Sequence, residues 1–413
     1  MRRENFFSLS VFWFAWELQW SALLGAALQG QIARFFPPTS LGTATAVLSG
    51  SGALLSILSQ YGAGRLSDRR GHHQLLIAVG TIVNIVGLYA FALAPSFFYV
   101  LVAFAVVQIA FNVAGGPYQA LMPTRVAVGS RSRASAYMGF FRLGGSAGGL
   151  LLARVFIRQP GPTVSAAMFT AGLVHLVSAL SIVLLVTLCI TLLGIPADRP
   201  PEQPTGLPTT WPARTSFAWL IGSRTAVSMG LYLILPFFAF YLRFAQHVSA
   251  YLATSLNLLL IMTGCALIGT VPAGIAGDKV PKKRILYGAL AMLAVGAAAV
   301  SLIRGMNGLL PLAALLGIGW GAYYSVDWAL ACVLLPPGRA GALMAIWNIG
   351  ASGPQVAAPI IGGLLVDRIG IASGDLALGY RLLFALIAIF VTVGAVALAF
   401  VREEKGGLAE QTG

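Results

Sequence analysis

Apolar stretches of about 18 or more residues, each long enough to cross a hydrocarbon core of about 30 Å, follow one another along almost the whole chain. Inside lipid a backbone must satisfy its own hydrogen bonds, so only helices and closed barrels can span. A barrel would read as short alternating segments, and this chain reads instead as long continuous runs, which predicts an all-α membrane protein. The charge content agrees: 9% of the 413 residues are charged against 58% hydrophobic, too little polar cover for a water-facing surface. The 48 glycines suit helices that approach closely in the membrane.

Hydropathy and breaker residues place twelve spans at 8–32, 41–64, 74–94, 97–122, 134–156, 166–194, 216–242, 251–276, 284–303, 308–335, 340–366 and 379–401. Six prolines, at 196, 200, 201, 204, 208 and 212, forbid a helix between the sixth and seventh and make an extended connector. The expected organisation is a six-helix bundle over 1–194, a Pro-rich cytoplasmic linker over 195–215 and a second six-helix bundle over 216–413. With both termini in the cytoplasm, 17 Lys and Arg residues fall on that side and 7 on the other, so the positive-inside rule favours this orientation, in the plasma (cytoplasmic) membrane. The formal charge of +14 lies in short clusters between spans and offers no basic face to a duplex, so no nucleic-acid partner is expected. Arg2 and Arg3 precede an apolar run as in a signal peptide, but Glu17 and Gln19 interrupt that run and no small-residue cleavage site follows. It reads as an uncleaved first span. Cys189, Cys265 and Cys332 lie inside spans and read as small packing residues.

The chain repeats itself by halves. A charged loop, Gly64-Arg65-Leu66-Ser67-Asp68-Arg69-Arg70-Gly71-His72-His73, has a weaker copy 210 residues later, from Gly274 through Asp278 to Arg284. A second echo, at an offset of 206, matches Arg133-Ala134-Ser135-Ala136-Tyr137-Met138 and Gly144-Gly145-Ser146-Ala147-Gly148 to Arg339-Ala340-Gly341-Ala342-Leu343-Met344 and Gly350-Ala351-Ser352-Gly353. Glycine-rich packing alone explains the small residues but not the shared register. Two similar membrane bundles can rock about a site between them, which is the simplest design for a transporter.

The first loop resembles the signature of the major facilitator superfamily, Gly-x-x-x-Asp-Arg-x-Gly-basic-basic between spans two and three, at Gly64, Asp68, Arg69, Gly71, His72 and His73. The resemblance implies a cytoplasmic gate in which Asp68 and Arg69 latch neighbouring helix ends, with Asp278 as a degenerate counterpart. An acid beside helix N-termini is stabilised in any case by their partial positive charge. Arg70, His72 and His73 read as topology-setting charges. Phe14-Ala15-Trp16-Glu17-Leu18-Gln19-Trp20-Ser21 and Asn112-x-x-x-Gly116-Pro117-Tyr118-Gln119-Ala120-Leu121 resemble, over those short stretches only, the sucrose transporters and the related glycoside-pentoside-hexuronide cation symporters. Gln108 and Gln119 stand where the sucrose transporters carry an acid and an arginine, so a proton-coupled sucrose mechanism does not transfer intact.

Charge within a span costs about 2.5 to 3.5 kcal/mol per residue on insertion scales, so each example needs a partner or a task. Glu17 and Arg142 lie at similar depth in spans one and five and can pair; Arg224 and Asp327, in spans seven and ten, make a second possible pair. Burial raises a carboxyl pKa and a nearby arginine lowers it, so Glu17 or Asp327 could exchange a proton as the cavity changes exposure. The alternative is two permanent salt bridges, with Arg224 close enough to water to snorkel. For cargo, amides for hydroxyls and aromatic faces for apolar ring surfaces point to Trp16, Gln19, Asn112, Gln119, Arg142, Tyr323, Tyr324, Asn348 and Gln355, on spans that line the cavity in the resembled fold. Asn348 holds the repeat position of Arg142. The competing role for these amides is interhelical hydrogen bonding. Trp13 and Trp20 read as lipid-facing or packing residues, and His175 as a satisfied core histidine.

No metal constellation, nucleophile triad or phosphate loop is legible; Gly144–Gly148 lies inside a span and lacks a following Lys-Thr or Lys-Ser. The expectation is not an enzyme but a secondary active transporter of twelve transmembrane helices in two pseudo-symmetric six-helix bundles, working as a monomer, with no cofactor and a proton as coupling ion. A sugar or glycoside is the expected solute. The alternatives are an exporter of amphipathic drugs or organic anions, and a non-transporting receptor or assembly factor.

Overall fold

The first membrane rod is helical without a break but not regular: α1 (Phe6–Ala22) passes through a π turn (Leu23–Ala27) into α2 (Leu28–Phe35), with helical backbone angles at both junctions. The computed structural model describes residues 6–70, 72–125, 131–158, 164–194, 213–334 and 340–402. Within them follow α3 (Leu41–Arg70), α4 (His73–Ala92), α5 (Phe97–Arg125), α6 (Arg131–Phe156), α7 (Ala166–Gly194), α8 (Arg214–Phe244), α9 (Tyr251–Lys279), α10 (Lys282–Leu302), α11 (Leu309–Leu334), α12 (Ala340–Ser373) and α13 (Leu376–Ala399). Among the described residues, ten helices are long and apolar enough to cross a membrane by themselves. The two that fall short, the α1–α2 rod and α6, carry Glu17 and Arg142 and pack on each other.

Two expectations about loops change. The charged segment from Gly64 is helical as far as Arg70, and its copy is helical from Gly274 to Lys279. Charged side chains do not break a helix once it leaves hydrocarbon, and basic groups in a last turn favour the helix dipole. What ends α9 is Val280 in an extended conformation before Pro281, as the steric clash with a proline ring demands. The linker expected at 195–215 lies outside the described residues as far as 212, and its last two residues already belong to α8.

Helix pairing repeats between the halves. In the first, α1 packs on α6 and α7, α5 on α3 and α4, and α4 on α7; in the second, α8 packs on α12 and α13, α11 on α9 and α10, and α10 on α13. The same correspondence turns the α3–α12 contact into the α9–α6 contact, both of which join the halves. Two pseudo-symmetric six-helix bundles result. Small residues set the closest approaches: a Cβ on Gly145 or Gly149 of α6 would overlap the carbonyl oxygen of Phe14 or Leu18 on α1, and Gly317 and Gly321 of α11 meet Met262 and Ala266 of α9 in the same way.

Among the described residues, hydrogen-bonded contacts at three places join the halves at the end opposite the basic segments. Gln29 Nε2 donates to Leu24 O in the π turn at 2.7 Å and to Leu235 O beside Pro236 of α8 at 3.1 Å. Arg154 Nε donates to Asn257 Oδ1 at 3.1 Å, and the amides of Gly42 and Thr43 donate to Asp367. The molecule is held shut at this end.

Candidate functional site

Gly145 and Gly149 bring α6 against α1 backbone to backbone, and three residues before Gly145 the same seam places Arg142 opposite Glu17. Arg142 donates to Glu17 Oε1 from Nη2 at 2.6 Å and from Nε at 2.7 Å. Their side chains keep 32% and 21% of their exposure, so water reaches both partners. Trp13, one turn before Glu17, lays its ring 4.9 Å from the Arg142 guanidinium carbon. Tyr324 of α11 reaches over from the second half, 5.9 Å from the same carbon, and remains half exposed. A ring that meets a cation across the bundle interface yet stays half exposed marks an open cleft between the halves at this depth.

The second pair is different. Arg224 of α8 and Asp327 of α11 form an ion pair with side-chain exposures of 7% and 1%. The Trp347 ring of α12 covers the Arg224 guanidinium carbon at 3.4 Å, and Tyr323, one turn before Asp327, is buried beside it. Arg224 therefore does not snorkel; its charge is compensated inside the protein. Helix spacing brings both tyrosines of α11 into play, because adjacent residues point about 100° apart: Tyr323 accompanies the buried pair and Tyr324 the exposed one.

The amide candidates divide as well. Gln19 and Asn84 of α4 exchange hydrogen bonds at 3.1 and 2.8 Å, both fully buried, so Gln19 ties α1 to α4 and does not face the cleft. Asn112 is buried and donates to Gln108 O at 2.8 Å, one turn back in its own helix. Trp16 is packed against Phe111, ring centroids 4.0 Å apart, over Gly115, where a Cβ would run into the indole. Gln119 is half-buried and Gln355 exposed. The side chains of Asn348, Asp68, Arg69 and Asp278 lie outside what the structure describes, as does Gly71 altogether, while Gly64 is placed only as part of α3.

Three residues enter that sequence reasoning missed or misplaced. Trp13 packs against Trp16 and Tyr118, as the packing alternative expects, and in addition lines the Arg142 cation; its i, i+4 spacing to Glu17 was the available signal for the second role. Trp347 had no signal, since nothing in its neighbourhood tells which face of α12 it occupies. Asp367 falls just beyond the expected end of span eleven at 366, and the sequence reading assigns it no role. His175 is exposed, 6.1 Å from the Phe156 ring, rather than buried in the core. Cys189 and Cys332 are exposed and Cys265 partly so, none of them in a disulfide. Among the described residues no group of three His, Cys, Asp or Glu side chains could hold a metal ion.

Residues 5–352 and 220–412 match the family model described as Major Facilitator Superfamily. No curated protein matches the chain. Solved structures share its fold. A bacterial homologue of the human lysosomal transporter Spinster, inward-facing and unoccupied, has 14% identity and a TM-score of 0.74, covering 96% of this chain and 95% of that one. An auto-inhibited POT family peptide transporter has 12% identity and a TM-score of 0.74, covering 99% and 98%. The nucleoside transporter NupG has 11% identity and a TM-score of 0.67, covering 97% and 100%.

Proposed function

Because the chain belongs to the major facilitator superfamily, and so is a transporter and not an enzyme, we propose that it carries a small organic solute by alternating access as a proton-coupled secondary transporter. The observation that carries this reading is the partly exposed Glu17–Arg142 pair, set between Trp13 of its own bundle and Tyr324 of the other. Glu17 is the coupling carboxylate. Protonated, it gives up Arg142, and the guanidinium becomes free for cargo; ionised, it takes Arg142 back, so cargo binding is favoured in the protonated form. The buried Arg224–Asp327 pair holds α8 to α11. The rocking bodies are residues 1–194 and 216–413, joined by the Pro-rich linker, with both termini cytoplasmic in the plasma membrane and a monomer as the working unit.

The favoured cargo is a sugar or glycoside. With Gln19 and Asn112 engaged elsewhere, hydroxyl recognition falls to the charged pair, which offers both donors and acceptors, and ring faces fall to Trp13 and Tyr324. Uptake of a panel of radiolabelled sugars into proteoliposomes, with and without a pH gradient, tests this. The second reading, an exporter of amphipathic organic anions, is favoured by the same Arg142 cation between two rings; failure of every sugar with efflux of fluorescent organic anions would establish it instead.

A further inference from the structure

We infer that Asp367 is a latch for the closed end of the molecule, holding α12 of the second bundle to the first turn of α3 in the first. Asp367 is 5% exposed, and its carboxylate accepts from Gly42 N at 3.0 Å through Oδ1 and from Thr43 N at 2.6 Å through Oδ2. Amides in the first turn of a helix have no carbonyl one turn earlier in the helix to bond, and together they carry the partial positive end of its dipole. A buried carboxylate needs compensation, and among the described residues no cation pairs with Asp367. The terminus of α3 is its counter-charge.

The geometry is made possible by two glycines. Gly363, one turn before Asp367, lies against Gly42: a Cβ on Gly363 would meet the Gly42 carbonyl oxygen, and one on Gly42 would meet both the Gly363 carbonyl and the Asp367 carboxylate. Only with that backbone approach does an aspartate, with its short reach, span to two amides. The seam continues where Gly50 takes Ile360.

This latch is specific to one state. Opening this end requires α3 and α12 to separate, which breaks both bonds at once and returns the carboxylate and amides to water. The latch therefore weights the conformational equilibrium without touching cargo. The inference rests on the alternating-access reading, but its readout is a distance and needs no cargo.

The test uses the full chain in nanodiscs, with the three native cysteines replaced and spin labels at Leu93 and Leu302, exposed residues at the ends of α4 and α10 on the closed side. Asp367→Asn removes the charge and places a donor opposite one of the amides. The ratio of the long-distance to the short-distance population should rise roughly tenfold, the scale of a lost charge-assisted hydrogen bond. Thr43→Pro removes the donor at 2.6 Å while leaving α12 untouched, and proline is tolerated in a first turn. It should shift the ratio in the same direction, and it decides the matter if Asp367→Asn does not fold. An unchanged distribution in a folded variant of either kind overturns the latch; if sugar uptake persists in that variant, the transport reading survives without it.

Discussion

Arg142 directs two of its nitrogens, Nε and Nη2, at a single oxygen of Glu17, 2.7 and 2.6 Å away, and does so across the α1–α6 seam. The guanidinium fork is rigid and this arrangement fixes the register of two helices as much as it fixes a charge. The same seam is set by Gly145 and Gly149, which face the carbonyls of Phe14 and Leu18.

Gly145→Val should therefore disturb the ion pair without touching it. A branched side chain against a backbone carbonyl cannot be relieved by rotation, so α6 must move off α1. Overpacking of this kind costs about 1 to 3 kcal/mol. A lowered Tm in detergent, accompanied by weakened cargo affinity, is the expected result; a Tm equal to that of the native chain would mean that the seam is loose.

The two ion pairs should respond oppositely to neutralisation. Asp327→Asn leaves Arg224 buried and unpaired, and removing one partner of a buried pair costs about 3 to 5 kcal/mol. Arg224→Met with Asp327→Leu removes both charges and should recover most of that loss. Thermal unfolding of the single and double variants checks this. A double variant as unstable as the single one would show that the pair does more than compensate itself.

Gln19 and Asn84 should behave as a structural couple. Gln19→Leu strands a buried amide on α4, whereas replacing both with Leu removes the need for a partner. A double-mutant cycle should give a coupling of about 0.5 to 2 kcal/mol, with the KM of transport unchanged in the double variant. A raised KM in the double variant would return Gln19 to the cargo site.

Asp68→Asn should slow turnover with little change in equilibrium cargo affinity if this residue near the end of α3 is the gate that the family resemblance implies, since a gate acts on the conformational step. Measured turnover in proteoliposomes against cargo affinity by equilibrium binding separates the two. An unaffected rate would reduce the segment to a topology signal.

Most of the fold was legible because hydrophobic length is a sufficient signal in a membrane: the expected spans differ from α3–α13 by a few residues at their ends, most at 366, where α12 runs on to Ser373, and next at 64, where polar residues were read as a loop although α3 continues to Arg70. Depth counting along helices was enough to bring Glu17 to Arg142 and Arg224 to Asp327. Rotation about the helix axis was not legible. Which face Trp13 or Trp347 occupies, and that Gln19 turns toward Asn84, depends on neighbours contributed by other helices. The π turn at Leu23–Ala27 has no sequence mark, and the bond from Asp367 to a helix start 325 residues away appears only once the bundles are assembled.

The most direct measurement is accumulation of cargo in proteoliposomes driven by a pH gradient, set beside counterflow exchange, for the native chain and Glu17→Gln. If Glu17 carries the coupling proton, the variant should lose gradient-driven accumulation and retain exchange. Accumulation at the native level in Glu17→Gln would contradict the account.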